Sequence, residues 1–374
     1  MSIAVRKSAA QKLRGIKPSS FQVLAGLDGF VDNIIDVVDK RSDATNYTRV
    51  ETIAKLGERI GRAAGLSSNI ELVVRQMKLG GNGPIMANAL LESGCAVTYI
   101  GCLGEGQVHA VFAEMAARCK ACYTLCDPGQ TDALEFQDGK LMLGKHQTLK
   151  QVNYENMLKV VGLDTIKKIW AQSNLIALTN WTMLPLQTDI WRKLLKDMSD
   201  VKTPAGATLF IDLADPEKRL SEEILEACHL LKSFRRTHRV VLGLNQKESM
   251  EVSAALGLSL KKEDIERNAG IIRNELSLDT VVIHPTRNAA CATEKESACL
   301  DGPYCAKPKL TTGAGDNFNA GFCLGLLAKL EPAELLASGK AMSGFYVRNG
   351  RSATIKELIA FLDEWCTRDG DASF

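Results

Sequence analysis

The chain is predicted to fold as an α/β protein, a mostly parallel sheet with helices on both faces. Three observations predict this. Short apolar runs alternate with amphipathic stretches of roughly 10–15 residues through most of the chain, the pattern of strands joined by crossover helices. No internal repeat or low-complexity linker divides the 374 residues, so one main domain accounts for them. Acidic and glycine residues cluster just past the ends of the apolar runs, where open α/β sheets bind their ligands.

Taken in order, Gln22 to Gly26 reads as the first buried strand, followed by Asp28, Gly29 and Asp32. A β-like run follows near 33–38, a helix over 51–64 with Ile53, Leu56 and Ile60 on one stripe, and a strand over Asn69 to Leu79. Gly80-Gly81-Asn82-Gly83-Pro84 then opens a helix over Ile85 to Leu91, and Ala96 to Gly101 is a strand. Gly101-x-x-Gly104-x-Gly106 has the wrong glycine order for a dinucleotide loop and is read as a strand–helix turn. A hairpin spans 131–143, turning at Asp138-Gly139. Strands are expected at Leu175 to Leu178, Thr208 to Leu213, Val240 to Leu244 and Thr280 to Ile283. Helices are expected at Leu186 to Met198, Ser221 to Phe234 with Ser221 as N-cap, from about 246, over 262–276, and from about 316, 332 and 354. The hairpin and the strand near 33–38 are read as a small β lid.

With 45% hydrophobic residues the chain can bury a sizeable core, and its net charge of +2 gives no pull toward nucleic acid or a membrane surface. No apolar run approaches a membrane span. Residues 1–20 are basic and lack the apolar core of a secretory signal, so they are read as a partly ordered N-terminal extension ahead of a domain over 21–374. Eleven cysteines are scattered along the chain. The one cluster, Cys119, Cys122 and Cys126, lacks a fourth zinc ligand. Reduced, mostly buried thiols in a cytoplasmic protein are expected.

The chemistry concentrates at Leu310 to Phe322, Leu-Thr-Thr-Gly-Ala-Gly-Asp-Asn-Phe-Asn-Ala-Gly-Phe. A small-residue turn, Gly313-Ala314-Gly315, precedes an apolar helix and exposes its first N–H groups as an anion site. Asp316 beside an anion suits a base that takes the proton of a hydroxyl attacking a phosphoryl group. An ordinary capped turn with an acid in its first helical turn fits the same residues. Asn245 and Glu248, three apart at a strand end, can orient water around Mg²⁺ or form a simple capping box. Asp28 and Asp32, as pure acceptors, suit neighbouring hydroxyls of a polyol; a turn residue and an exposed acid are the plainer readings. Asp212 and Arg219 can pair with each other or face a ligand, and a structural role is favoured. The histidines form no triad or metal spacing, and no Walker-A loop is present.

In this order the pieces resemble the PfkB family of carbohydrate kinases, the ribokinase-like enzymes. The resemblance rests on the strand and Asp28, Gly80-Gly81-Asn82-Gly83, Asp215-Pro216-x-x-Arg219, Asn245-x-x-Glu248 and Gly313-Ala314-Gly315-Asp316. It implies a ribokinase-like three-layer sandwich with a β lid, and ATP-dependent phosphorylation of a sugar or nucleoside hydroxyl. Asp316 would be the base, with Gly313, Ala314 and Gly315 in the anion hole. Asp28, Asp32, Gly81 and Asn82 would bind substrate. Asn245 and Thr286 would meet the nucleotide, and Glu248 with Asn245 would hold Mg²⁺ through water. A homodimer through the lid is compatible with the resemblance. Three positions depart from the family pattern. Leu310 replaces the acid of a monovalent-cation loop, leaving such a cation without support. Ile85 replaces an asparagine, and His284-Pro285-Thr286-Arg287-Asn288-Ala289 lacks two glycines near the nucleotide. The last departure admits an alternative, a ribokinase-fold sensor or partner module that binds sugar or nucleotide without catalysis.

Overall fold

The computed structural model describes residues 2–368; the expected domain end at 374 lies outside them. Fourteen strands form two sheets among the described residues. In chain order they are β1 (Gln22–Leu27), β2 (Phe30–Arg41), β3 (Tyr47–Arg49), β4 (Leu72–Gly80), β5 (Ala96–Gly101), β6 (Ala121–Thr124) and β7 (Gly129–Glu135). They continue as β8 (Lys140–Lys145), β9 (Leu175–Leu178), β10 (Thr208–Asp212), β11 (Arg239–Leu244), β12 (Thr280–Ile283), β13 (Asn288–Thr293) and β14 (Ser297–Asp301).

The main sheet has nine strands in the order β14-β13-β12-β11-β10-β9-β1-β5-β6, parallel from β12 to β6. Successive side chains of its central strands enter opposite cores, as the two-residue strand period requires. Leu209 and Ile211 of β10 face one core and Phe210 the other; Val281 and Ile283 of β12 are likewise split from Val282. Helices cover both faces, giving the expected three layers.

The second sheet, β3-β2-β7-β8 with β4 also paired to β2, is the lid. It is larger than the two segments expected, because β2 runs from Phe30 to Arg41 and recruits β4 along eight paired positions. It has its own small core of Ile35, Val37, Val50, Leu56, Leu134 and Phe136.

The structure departs from expectation in four places. The N-terminal segment is no loose extension: Ser2–Arg14 is a helix whose Arg6, Ala9, Ala10 and Leu13 are buried. Arg6 donates to the Trp365 carbonyl at 2.7 Å, and its guanidinium lies 4.6 Å from the centre of that indole. Ser221 is the first helical residue and not the N-cap; Leu220 holds that position, and its N–H donates to Glu223 at 3.1 Å. The helix after Gly81 begins at Asn82, three residues earlier than expected. Beyond β12 the sheet gains an antiparallel edge, β13 and β14, that apolar patterning did not reveal. All eleven cysteines are free thiols, seven of them buried. No helix among the described residues is long and apolar enough to cross a membrane.

Candidate active site

The site lies along the C-terminal edge of the main sheet. Asp28 follows β1, Asn180 lies just past β9, Asp212 ends β10, Asn245 follows β11 and His284 follows β12. From β1 the sheet grows one way through β5 and β6 and then the other way from β9, so β1 and β9 flank a topological switch point. Asn180 bridges it, donating to Asp28 Oδ2 at 2.6 Å.

A cleft of about 410 Å³ opens above this edge, lined by Asn82, Asp212, Asn245, Glu248, Thr286 and Asp316 among others. Asp316 is the third residue of the helix Ala314–Leu327 and is 7% exposed. The Asn82 side-chain amide donates to its Oδ1 at 2.9 Å. Burial, then the charges of Asp28 and Glu248, push the Asp316 carboxyl well above the usual carboxylate range, against the pull of Asn82. Gly313 takes the left-handed conformation at φ +88° that lets the turn enter the helix; a Cβ there would lie 2.8 Å from the Tyr346 hydroxyl. That hydroxyl donates to the Thr312 carbonyl at 2.8 Å and braces the turn. The amide of Ala314, expected in the anion hole, instead donates to the Thr311 carbonyl at 3.1 Å. That leaves the amides of Gly315 and Asp316, at the start of the helix, as the turn's candidates for an anion.

Asn245 and Glu248 do form the capping box: Asn245 Oδ1 accepts the Glu248 N–H at 2.9 Å and Glu248 Oε2 accepts the Asn245 N–H at 2.7 Å. Glu248 Oε1 accepts the Asp215 N–H at 3.1 Å. Both residues also line the cleft, so capping and ligand contact are compatible. Asp212, read from sequence as structural, belongs here too. It does not pair with Arg219, which is bound by Glu223 and stacks over Trp181 at 4.4 Å. Asp212 accepts from the Ala214 N–H at 2.9 Å and from Asn319 at 2.7 Å. Burial, then the neighbouring Glu248 and Asp316 charges, push it well above the ordinary carboxylate range. Its signal in the sequence was an acid closing a central buried strand.

Two expected substrate ligands stand elsewhere. Asp28 is 0% exposed and does not line the cleft. Its oxygens are taken by Asn180 and by the Gly83 N–H at 2.8 Å, so it anchors the Gly80–Gly83 turn from below. Gly81, at φ +94°, would carry a Cβ 2.7 Å from Asp28 Oδ2, which is why the turn needs glycine there. Asp32 faces a separate small cavity of about 40 Å³ under the lid, with Lys78, Ile85, Lys140, Thr312 and Tyr346. Asp28 and Asp32 thus line no common cavity in this structure, although both carboxylates lie against the Gly80–Gly81 turn.

Such a cleft, over the C-terminal ends of β10 to β12 in a three-layer sheet that carries a separate β lid, marks a carbohydrate kinase of the ribokinase-like class. Solved structures share the fold. They include a mutant of phosphofructokinase-2 from Escherichia coli (TM-score 0.64, 14% identity, 92% of this chain and 99% of that one). A ribokinase from Arabidopsis thaliana complexed with ribose and ATP gives TM-score 0.62 at 15% identity, over 93% of this chain and 99% of that one. The ribokinase of Thermotoga maritima gives 0.58 at 16%, over 92% and 99%. The family model for prokaryotic ketohexokinase matches residues 5–365, and the chain belongs to that family. A ketohexokinase of Haloferax volcanii is 30% identical over 342 residues, 91% of this chain and 90% of that protein.

Proposed function

We propose that this enzyme transfers the γ-phosphoryl group of ATP to a hydroxyl of a ketohexose, with Asp316 as general base. The observation that carries the reading is Asp316 in the first turn of a helix behind Gly313 and Gly315, oriented by Asn82. The name of the Haloferax volcanii relative supports the acceptor class. As the sugar oxygen attacks, its proton passes to Asp316, the oxygen–phosphorus bond forms, and the bond to the β,γ-bridging oxygen breaks to release ADP. The amides of Gly315 and Asp316 meet the charge on the transferring group. The lid residues Asp32 and Lys140, which line the small cavity beside Thr312 and Tyr346, would close over the acceptor and exclude water.

Three buried carboxyls, Asp212, Glu248 and Asp316, line the one cleft, and burial raises the proton affinity of each. That oxygen-only donor set fits Mg²⁺, with Glu248 and Asn245 holding it through water. Bound there, Mg²⁺ would neutralise charge on the donor phosphates. The test is ADP release with Mg²⁺-ATP over ketohexoses, aldohexoses, pentoses and nucleosides. The highest kcat/KM is expected with a ketohexose; a preference for a nucleoside, or no turnover with any ketohexose, overturns the reading.

A further inference from the structure

Lys340 stands in the middle of the helix Pro332–Asn349, 5% exposed, yet it lines the same cleft as Gly315, Asp316 and Thr286. No carboxylate lies within ion-pairing distance of it among the described residues. Its ammonium instead donates to the carbonyls of Pro285 and Thr286, the latter at 3.2 Å. It also lies 5.7 Å from the centre of the Phe318 ring, which stacks on His284 at 4.5 Å.

An ammonium has three N–H donors, and two are engaged. A buried cation that lacks an anion is costly and becomes favourable when one arrives. The carbonyls it holds belong to the segment that lacks the two glycines a phosphate-binding backbone would use. A point charge delivered from the neighbouring helix can do the work that backbone amides cannot do there.

We infer that Lys340 is the donor-site cation of this enzyme: it pins the Pro285–Thr286 backbone and turns its remaining N–H to the triphosphate, so that nucleotide binding carries a proton into the site. This rests on the ATP-dependent reading above. Burial pushes Lys340 down to about 7, with Asp301 and Cys299 of β14 pulling the other way. His284, facing it from the end of β12, is held neutral by burial and by Lys340 itself, at about 3. Phe318 presents only its ring. Near neutral pH the free site is therefore partly deprotonated, and a triphosphate completes its protonation.

The test is calorimetric titration of the full-length protein with the non-hydrolysable ATP analogue AMP-PNP in excess Mg²⁺, in buffers of different ionisation enthalpy. Wild type is expected to take up about half a proton per site at pH 7, and its Kd should weaken by more than about tenfold from pH 6.5 to 8.5. Lys340→Met should lose the uptake and bind at least tenfold more weakly. Lys340→Arg, which stays charged, should bind without uptake and with a flat pH profile, and it carries the test should the methionine variant misfold. Wild type that binds and turns over ATP with no buffer dependence overturns the inference and leaves the kinase reading standing. Wild type that binds no nucleotide overturns both.

Discussion

The side-chain amide of Asn82 donates to Asp316 Oδ1 at 2.9 Å, tying the start of one helix to the first turn of another. The bond orients the carboxylate and favours its ionised form, opposing the burial that raises its proton affinity. Asp316→Asn should keep sugar binding and lower kcat by about 10²–10⁴. Asn82→Ala should lower kcat through the lost orientation of the carboxylate, and because a downward pull on Asp316 is lost, the acidic limb of kcat/KM should move to higher pH. Steady-state profiles over pH 5 to 9 measure both; an unshifted limb in Asn82→Ala would break the link.

Asp28 sets a pH dependence of stability. Burial raises it from 3.8 to about 6, outweighing its bonds from Asn180 and Gly83. The folded chain holds this proton up to about pH 6, whereas the unfolded chain releases it near 4. Stability is thus highest below the unfolded value, falls as pH rises through this window, and stays lower above it by about 3 kcal/mol. Asp28→Asn keeps an acceptor for the Gly83 N–H, and the Asn180 oxygen, buried without a partner, can turn to accept the new amide. Denaturant unfolding at pH 4, 6 and 8 should show the variant gaining on wild type as pH rises. A constant difference across that range would remove Asp28 as the cause.

The N-terminal helix should be required for the fold. It buries Ala9, Ala10 and Leu13 and seats Arg6 on Trp365. Removing residues 1–14 uncovers the buried face of the helix Ile355–Thr367 and forfeits about 1.5–3 kcal/mol for Leu13 alone. The truncated chain is expected to melt several degrees lower or to aggregate on expression, with light scattering and a thermal melt as the measurements. An unchanged melting temperature would mean the helix is an appendage after all.

Local patterns made the strand ends readable. The strands β9 to β12 begin and end within about two residues of expectation, because each is an apolar run stopped by a polar residue on a buried sheet. The Gly313–Asp316 turn is equally local. What escaped the sequence depends on distant neighbours. Asp212 acquires its meaning from Glu248 and Asp316, which only the parallel sheet brings beside it. Lys340 sits in a helix where a lysine normally marks the wet face, and its burial comes from the Pro285–Thr286 segment packing over it. The strands β13 and β14 are built from small residues such as Ala289, Ala290 and Cys291, which carry little strand signal. The N-terminal helix buries Ala9, Ala10, Leu13 and a basic residue, Arg6, so its apolar stripe is faint.

Lys140 should latch the lid. It reaches from β8 to Thr312 Oγ1 at 3.5 Å and to Glu135 at 3.1 Å, so it joins the lid to the residues just before the anion turn. Being partly exposed, it adds little to stability, about 0–1 kcal/mol. Lys140→Ala should therefore raise the sugar KM several-fold while the melting temperature hardly moves. A loss of kcat at unchanged KM would place Lys140 in the chemical step and not in closure.

Two carboxylates in one cleft should respond in opposite ways to losing their charge. Asp212 accepts from Ala214 and from Asn319, whose own oxygen is buried without a partner. Asp212→Asn keeps the first bond, and a turn of the Asn319 amide restores the second. The variant sheds a buried charge whose folded-state affinity for protons is raised, so without metal it should gain stability on wild type as pH rises above the ordinary carboxylate range. Glu248 differs because both its oxygens accept backbone N–H groups, from Asn245 and Asp215. A glutamine can satisfy only one, so Glu248→Gln should lose about 1–3 kcal/mol. Mg²⁺ should raise the wild-type melting temperature more at pH 8 than at pH 5, because protons and metal compete for the same carboxylates. Both variants should lose most of that gain, and EDTA should return the wild type to its metal-free value. Differential scanning calorimetry with and without 5–10 mM Mg²⁺, roughly the excess that saturates a weak site, separates these outcomes. Equal Mg²⁺ stabilisation in all three proteins would move the metal away from this pair.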